Sequence, residues 1–140
     1  PAAAEMRTQK SVLKGARILL VEDNELNQEI AKTLLEMNGA AVDVAGNGEA
    51  AIHCFRDQKP GTYQAILMDI RMPVMDGLDA SRGIRALNRE DSATIPILAM
   101  TANAFEEDRK KAFEASMNGY LVKPLDITML ISELEKAIGK

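Results

Sequence analysis

Residues 16–23 read Ala16-Arg-Ile-Leu-Leu-Val-Glu-Asp23, a short and nearly continuous apolar run that stops on two acids. Alternate side chains of a strand point to opposite faces, so a run apolar at almost every position suits a strand covered on both sides, as in a parallel sheet. The same pattern recurs. Ala41-Val-Asp-Val-Ala45 is a second short run. Ala65-Ile-Leu-Met68 ends in Asp69, and Ile95-Pro-Ile-Leu-Ala-Met100 ends at Thr101. Gly119-Tyr-Leu-Val122 ends at Lys123-Pro124. Helical patterns fill the gaps. Leu26, Ile30, Leu34 and Leu35, with Met37, form an apolar stripe, and Gly39 is placed to end that helix. Further helices are expected over residues 49–55, 78–87 and 106–117, the last with Ala112 and Phe113 inward. Ile127, Leu130, Ile131, Leu134 and Ile138 mark a final amphipathic helix.

Five strands and five helices in strict alternation predict an α/β fold. Right-handed crossovers would build a doubly wound parallel sheet with helices on both faces. Residues 1–14 show no sustained period and read as a linker or tail, leaving residues 15–140 as the domain.

Composition narrows the function. A chain of 140 residues that is 46% hydrophobic and 27% charged has room for one domain with a real core, which excludes disordered and fibrous classes. A net charge of −4 argues against a nucleic-acid-binding face. The single Cys54 excludes an internal disulfide and a Cys-rich zinc site, and the single His53 excludes multi-histidine metal motifs. His53 reads as an ordinary helix-surface or boundary residue, and Cys54 as a small core or boundary residue. No apolar run reaches the length of a membrane span and no secretory signal is visible, so no direct membrane contact and a cytoplasmic location are expected. A parent chain could still be anchored in the inner membrane.

The strand ends carry the chemistry. Glu22, Asp23, Asp69, Thr101 and Lys123 each follow or close an apolar strand at its carboxyl end. In doubly wound sheets such ends converge on one crevice. Three carboxylates brought together repel, and a hard dication relieves the conflict. All-oxygen ligation without His or Cys suits Mg²⁺. One carboxylate can also attack phosphorus, with the Thr101 hydroxyl and the Lys123 ammonium holding phosphoryl oxygens. Pro124 either ends the strand or, through a cis bond, turns Lys123 back over the crevice.

Four of these stretches resemble the response-regulator receiver family: Ile18-Leu-Leu-Val-Glu-Asp-Asn24, Leu67-Met-Asp-Ile-Arg-Met-Pro-Val-Met-Asp-Gly77, Ala99-Met-Thr-Ala102 and Gly119-Tyr-Leu-Val-Lys-Pro-Leu125. They occur in the family's order and spacing. Asp-Asn-Glu-Leu-Asn27 and Thr-Ala-Asn-Ala-Phe105 look most like receivers of hybrid sensor histidine kinases. The resemblance implies a flavodoxin-like sheet of order 2-1-3-4-5. It implies that Asp69 accepts a phosphoryl group from phosphohistidine on a histidine kinase or a histidine phosphotransfer domain. Asp23 would ligate Mg²⁺ directly, Glu22 largely through water, and Arg71 through its backbone carbonyl. Thr101 and Lys123 would contact the phosphoryl group. Tyr120 would be the switch aromatic that follows Thr101. Such a domain assists its own phosphoryl transfer and dephosphorylation without being a turnover enzyme. Arg71 and Asn103 lie beside the acceptor and could tune access of hydrolytic water. Ser116 stands where the family commonly has glycine. A stand-alone response regulator would carry the same motifs.

Two rival readings compete. Gly46-x-Gly48-x-x-Ala51 follows a strand, opens a helix and is trailed by Asp69 about twenty residues on, as in a dinucleotide-binding fingerprint. That reading leaves Glu22, Asp23, Thr101 and Lys123 unexplained, and both glycines then serve merely to turn the chain. A phosphatase of the haloacid dehalogenase type shares the aspartyl nucleophile, but it wants an acid where Arg71 stands. Met68 and Met100 are expected in the core, and Met72 and Met75 in the acceptor loop are the better candidates for partner contact. Residues 106–111 read as a solvated helix start with acids favourable to the helix dipole.

Overall fold

The computed structural model describes residues 13–72, 74–102, 106–123 and 125–138. Most of the 1–14 tail, Pro73, Asn103, Pro124 and its cis alternative lie outside them, as do the side chains of residues 106–108. Strands β1 (Arg17–Val21), β2 (Ala41–Ala45), β3 (Ala65–Asp69), β4 (Ile97–Thr101) and β5 (Gly119–Val122) alternate with five helices. These are α1 (Glu25–Met37), α2 (Gly48–Asp57), α3 (Gly77–Arg85), α4 (Glu106–Glu114) and α5 (Ile127–Ile138). The sheet is parallel throughout, in the expected order β2-β1-β3-β4-β5.

Each strand divides its apolar side chains between two cores. Ile18, Leu20, Leu67, Leu98 and Met100 pack beneath α1 and α5 through Ala31, Leu35, Leu130 and Leu134. Leu19, Val21, Met68, Ile97 and Ala99 meet Ala51 and Phe55 of α2, Ala80 and Ile84 of α3, and Ala112 of α4. The continuous runs of β3 and β4, buried at every residue, are the consequence of that double cover. The core also reaches further back than the first run, because Leu13 is fully buried. A lone leucine carries no period, so nothing local marks it.

Three expectations change. Leu26, Ile30 and Met37 are exposed at 69%, 48% and 67%, while α1 buries Ala31 and Leu35. At roughly 100° per residue, the two sets form separate stripes about a third of a turn apart. The sequence stripe therefore merges a core face with a solvent-facing apolar one. Phe113 is half exposed, and its neighbour Ala112 is the one that enters the core. Helix α4 also stops at Glu114, short of Met117, because Ser116 adopts a left-handed φ of 66°.

Helix ends are locally specified. The side chains of Asn24, Asn47 and Asp76 accept from the backbone N–H three residues on, at the starts of α1, α2 and α3. These caps set where each helix leaves the sheet, and α1 and α3 leave beside the acidic strand ends.

Candidate functional site

Register brings the strand ends together. Val21 pairs with Met68, Asp69 with Met100 and Thr101 with Val122, so residues just past β1, β3, β4 and β5 meet at one edge. Short backbone bonds hold that edge. The Lys123 N–H donates to the Thr101 carbonyl at 2.7 Å, and the Ile70 N–H donates to the Met100 carbonyl at 3.1 Å.

The predicted residues converge. Carboxylate oxygens of Glu22, Asp23 and Asp69 lie within 4.8 Å of one another. Glu22 and Asp69 are buried, Asp23 is exposed, and Thr101 is buried on the neighbouring strand. The Lys123 ammonium donates to both Glu22 carboxylate oxygens, at 3.0 and 3.1 Å, and to Asp69 Oδ2 at 2.8 Å. The other Asp69 oxygen accepts from the Arg71 backbone N–H at 3.3 Å.

This packing has an electrostatic cost. Burial and the adjoining Glu22 carboxylate push Asp69 up to about 7, although Lys123 pulls the other way. Burial also raises Glu22, but hydrogen bonds from the Asp69 carboxyl, Lys123 and Asn27 outweigh it and hold Glu22 low. Lys123 is desolvated too, yet the same two carboxylates raise it above its ordinary value and keep it charged. One ammonium thus faces two buried carboxylates, with a third at the rim. A hard divalent cation resolves that imbalance, and the donor set is all oxygen, as Mg²⁺ prefers.

Glycine makes the acceptor loop possible. A Cβ on Gly77 would lie 2.2 Å from the Asp69 carbonyl oxygen, so the loop that leaves Asp69 closes on α3 only with no side chain there. The Gly77 N–H donates to the Ile70 carbonyl at 2.8 Å. Gly48 has a related role. Its N–H donates to the Met75 carbonyl at 3.1 Å, and a Cβ there would come within 2.6 Å of the same oxygen. Gly48 therefore seats the acceptor loop on α2 rather than merely turning the chain. That use removes the space a pyrophosphate would need in the dinucleotide reading. Met72 and Met75 pack partly buried against the core, each keeping part of its side chain at the surface. His53 is exposed and Cys54 half-buried on α2, as expected.

Sequence reasoning did not find the amides that fasten Glu22. Gln28 Nε2 donates to the Glu22 carbonyl at 2.6 Å, and Asn27 hydrogen-bonds the Glu22 side chain. Both sit in the first turns of α1, five and six residues past Glu22. That spacing is the only signal the sequence held.

The comparisons agree with this geometry. The family model for the response regulator receiver domain matches residues 18–135. The chain is 42% identical over 125 residues to the aerobic respiration control sensor protein ArcB of Escherichia coli K12, covering 89% of this chain and 15% of ArcB. It therefore spans a small part of such relatives, and 7% of the hybrid signal transduction histidine kinase I of Dictyostelium discoideum. Among solved structures, the receiver domain of the sensor histidine kinase PA1611 from Pseudomonas aeruginosa is 42% identical with a TM-score of 0.80, covering 89% of this chain and 98% of that one. That structure has a magnesium ion coordinated in its active-site cleft. The receiver domain of Ssk1 from Saccharomyces cerevisiae, co-crystallised with the histidine phosphotransfer protein Ypd1, is 29% identical with a TM-score of 0.80, covering 89% of each chain.

Proposed function

The chain belongs to the response-regulator receiver family of two-component signalling, and from that premise we propose that it accepts a phosphoryl group from a partner's phosphohistidine onto Asp69. The observation that carries this reading is the Lys123 ammonium held between two buried carboxylates, with the oxygen of a third carboxylate within 4.8 Å of theirs. In the transfer, an Asp69 carboxylate oxygen attacks phosphorus. The P–N bond breaks, and the departing imidazole keeps its electron pair. The Lys123 ammonium, already in contact with Asp69, follows the new charge onto a phosphoryl oxygen, and the Thr101 hydroxyl donates to another. Glu22, Asp23 and Asp69, with the Arg71 carbonyl, would hold Mg²⁺, which when bound neutralises the carboxylates and the phosphoryl oxygens. Tyr120 then reports the movement of Thr101, giving a two-state switch.

The donor is a phosphohistidine on a histidine kinase or a histidine phosphotransfer domain. The exposed Leu26–Ile30 stripe of α1, beginning three residues beyond Asp23, offers that donor an apolar surface beside the site. The parent is a hybrid sensor histidine kinase in which residues 15–140 are the receiver, acting in the cytoplasm without nucleic acid. Among the described residues no helix is long and apolar enough to cross a membrane. A stand-alone response regulator would use the same chemistry.

The test is labelling by acetyl phosphate with Mg²⁺, read by intact mass. One phosphoryl group should appear on the wild type and none on Asp69→Asn. An unlabelled wild type, or equal labelling of the variant, would sink the reading.

A further inference from the structure

Helix α4 carries a contact that the phosphoacceptor site does not use. The Arg109 guanidinium carbon lies 4.8 Å from the centre of the Tyr120 ring, within cation–π range. Tyr120 pairs in register with Ala99 on β4, two residues before Thr101. Residues two apart on a strand share a face, so Ala99, Thr101 and Tyr120 look toward the same side of the sheet, the side covered by α4. Ala99 is fully buried and carries only a methyl group, so no bulky neighbour across the ladder fixes the ring. Tyr120 itself is only partly buried against that core.

Helix α4 is also fastened beyond Arg109. Its C-terminal end is tied down by backbone bonds from Ser116 to Phe113 and from Met117 to Ala112. The Arg85 guanidinium adds to this by donating to the Ser116 carbonyl at 2.9 and 3.1 Å. Arg109 lies a turn and a half nearer the start of the helix and reaches across to β5.

We propose that Arg109 is a positioning residue for Tyr120. Its guanidinium holds the ring in the resting orientation and ties the first half of α4 to the switch strand. The inference rests on the phosphoacceptor reading above, and it names the residue that sets how easily that switch is thrown. A ring that turns toward Thr101 must leave the guanidinium. Removing the cation therefore favours the switched state, by about two- to fivefold, the factor an exposed cation–π contact is worth.

The experiment uses the chain labelled with 3-fluorotyrosine. Only Tyr63 and Tyr120 report, and Tyr63→Phe assigns the signals. Beryllium fluoride is titrated at fixed Mg²⁺ as a phosphoryl mimic, and the Tyr120 fluorine resonance is followed. Arg109→Met should shift the resting Tyr120 resonance, leave that of Tyr63 in place, and lower the midpoint two- to fivefold. Arg109→Lys, which keeps a cation, should return both readouts toward wild type. An Arg109→Met variant with the wild-type resonance and midpoint would overturn the proposal. A Lys variant indistinguishable from Met would also overturn it, since the charge would then not matter. A wild type that ignores beryllium fluoride would instead refute the phosphoacceptor reading, and the switching role with it. The resting resonance separates the two failures.

Discussion

Replacing Ser116 by glycine should make this protein more stable. Helices α1 and α4 end in the same way. After α1, the Gly39 N–H donates to the Glu36 carbonyl and the Ala40 N–H to the Leu35 carbonyl. After α4, the Ser116 N–H donates to Phe113 and the Met117 N–H to Ala112. Both are Schellman ends, which need one residue in the left-handed region. Gly39 meets that need with φ of 93°, whereas Ser116 carries a Cβ at φ of 66°. Left-handed backbone costs a residue with a Cβ about 1–2 kcal/mol. Glycine gives back roughly 0.5–1 kcal/mol through the greater freedom of its unfolded chain. The net gain for Ser116→Gly is then about 0.5–1 kcal/mol, or roughly 2–5 °C in Tm for a domain of this size. Nothing opposes it, because Ser116 is exposed and Arg85 binds its backbone carbonyl, not its hydroxyl. The assay is urea unfolding with calorimetry, and the m value should not change. Gly39→Ser is the matched control. It should lose at least about 1 kcal/mol, since its Cβ would also sit 3.1 Å from Lys14 Cα. A Ser116→Gly protein no more stable than wild type would refute the claim that the serine is strained.

Lys123→Ala should fold, yet label with acetyl phosphate about 100-fold more slowly, the usual effect of losing one transition-state donor. Wild-type labelling by intact mass would remove Lys123 from the site. Gly77→Ala should lose more than about 2 kcal/mol, in the range of severe overpacking, because the Asp69 carbonyl cannot retreat. A cooperative melt at the wild-type temperature would contradict this. Without divalent cations, stability should fall as pH rises from about 4 to about 7. Asp69 titrates near 7 when folded against an ordinary 3.8, so over that window the folded state holds the extra proton and each rise in pH favours unfolding. Glu22 is held low and acts in the opposite sense, adding stability as pH rises through the ordinary carboxylate range. Asp69→Asn should abolish the fall toward 7, and saturating Mg²⁺ should shrink it. A wild-type profile that is flat or rising over that window would contradict the assignment.

The division between sequence and tertiary structure follows from the range of each signal. Strand character, the acids closing β1 and β3, and the threonine and lysine closing β4 and β5 are written in runs of a few residues. Local period and strand-end chemistry suffice to read them. That Ser116 stands at a glycine's place came from the family resemblance alone, and its positive φ gives the reason. What the chain order could not supply were distances between strand ends. The Lys123 ammonium meets Glu22 across 101 residues only because the order β2-β1-β3-β4-β5 and its register bring those ends to one edge. The same holds for α1. Its periodicity announced a helix, but the packing of α1 on the sheet decided that Ala31 and Leu35 face the core while Leu26 and Ile30 face solvent. Gly48 looked like a turn residue until the acceptor loop was seen resting on it. The pairing of Arg109 with Tyr120 carries no local signal, because one sits on a helix, the other on a strand, and only their packing makes them neighbours. Chain order alone settles which groups stand at the strand ends. The fold decided that they share a single charge-crowded edge, because that proximity is a non-local property of the sheet.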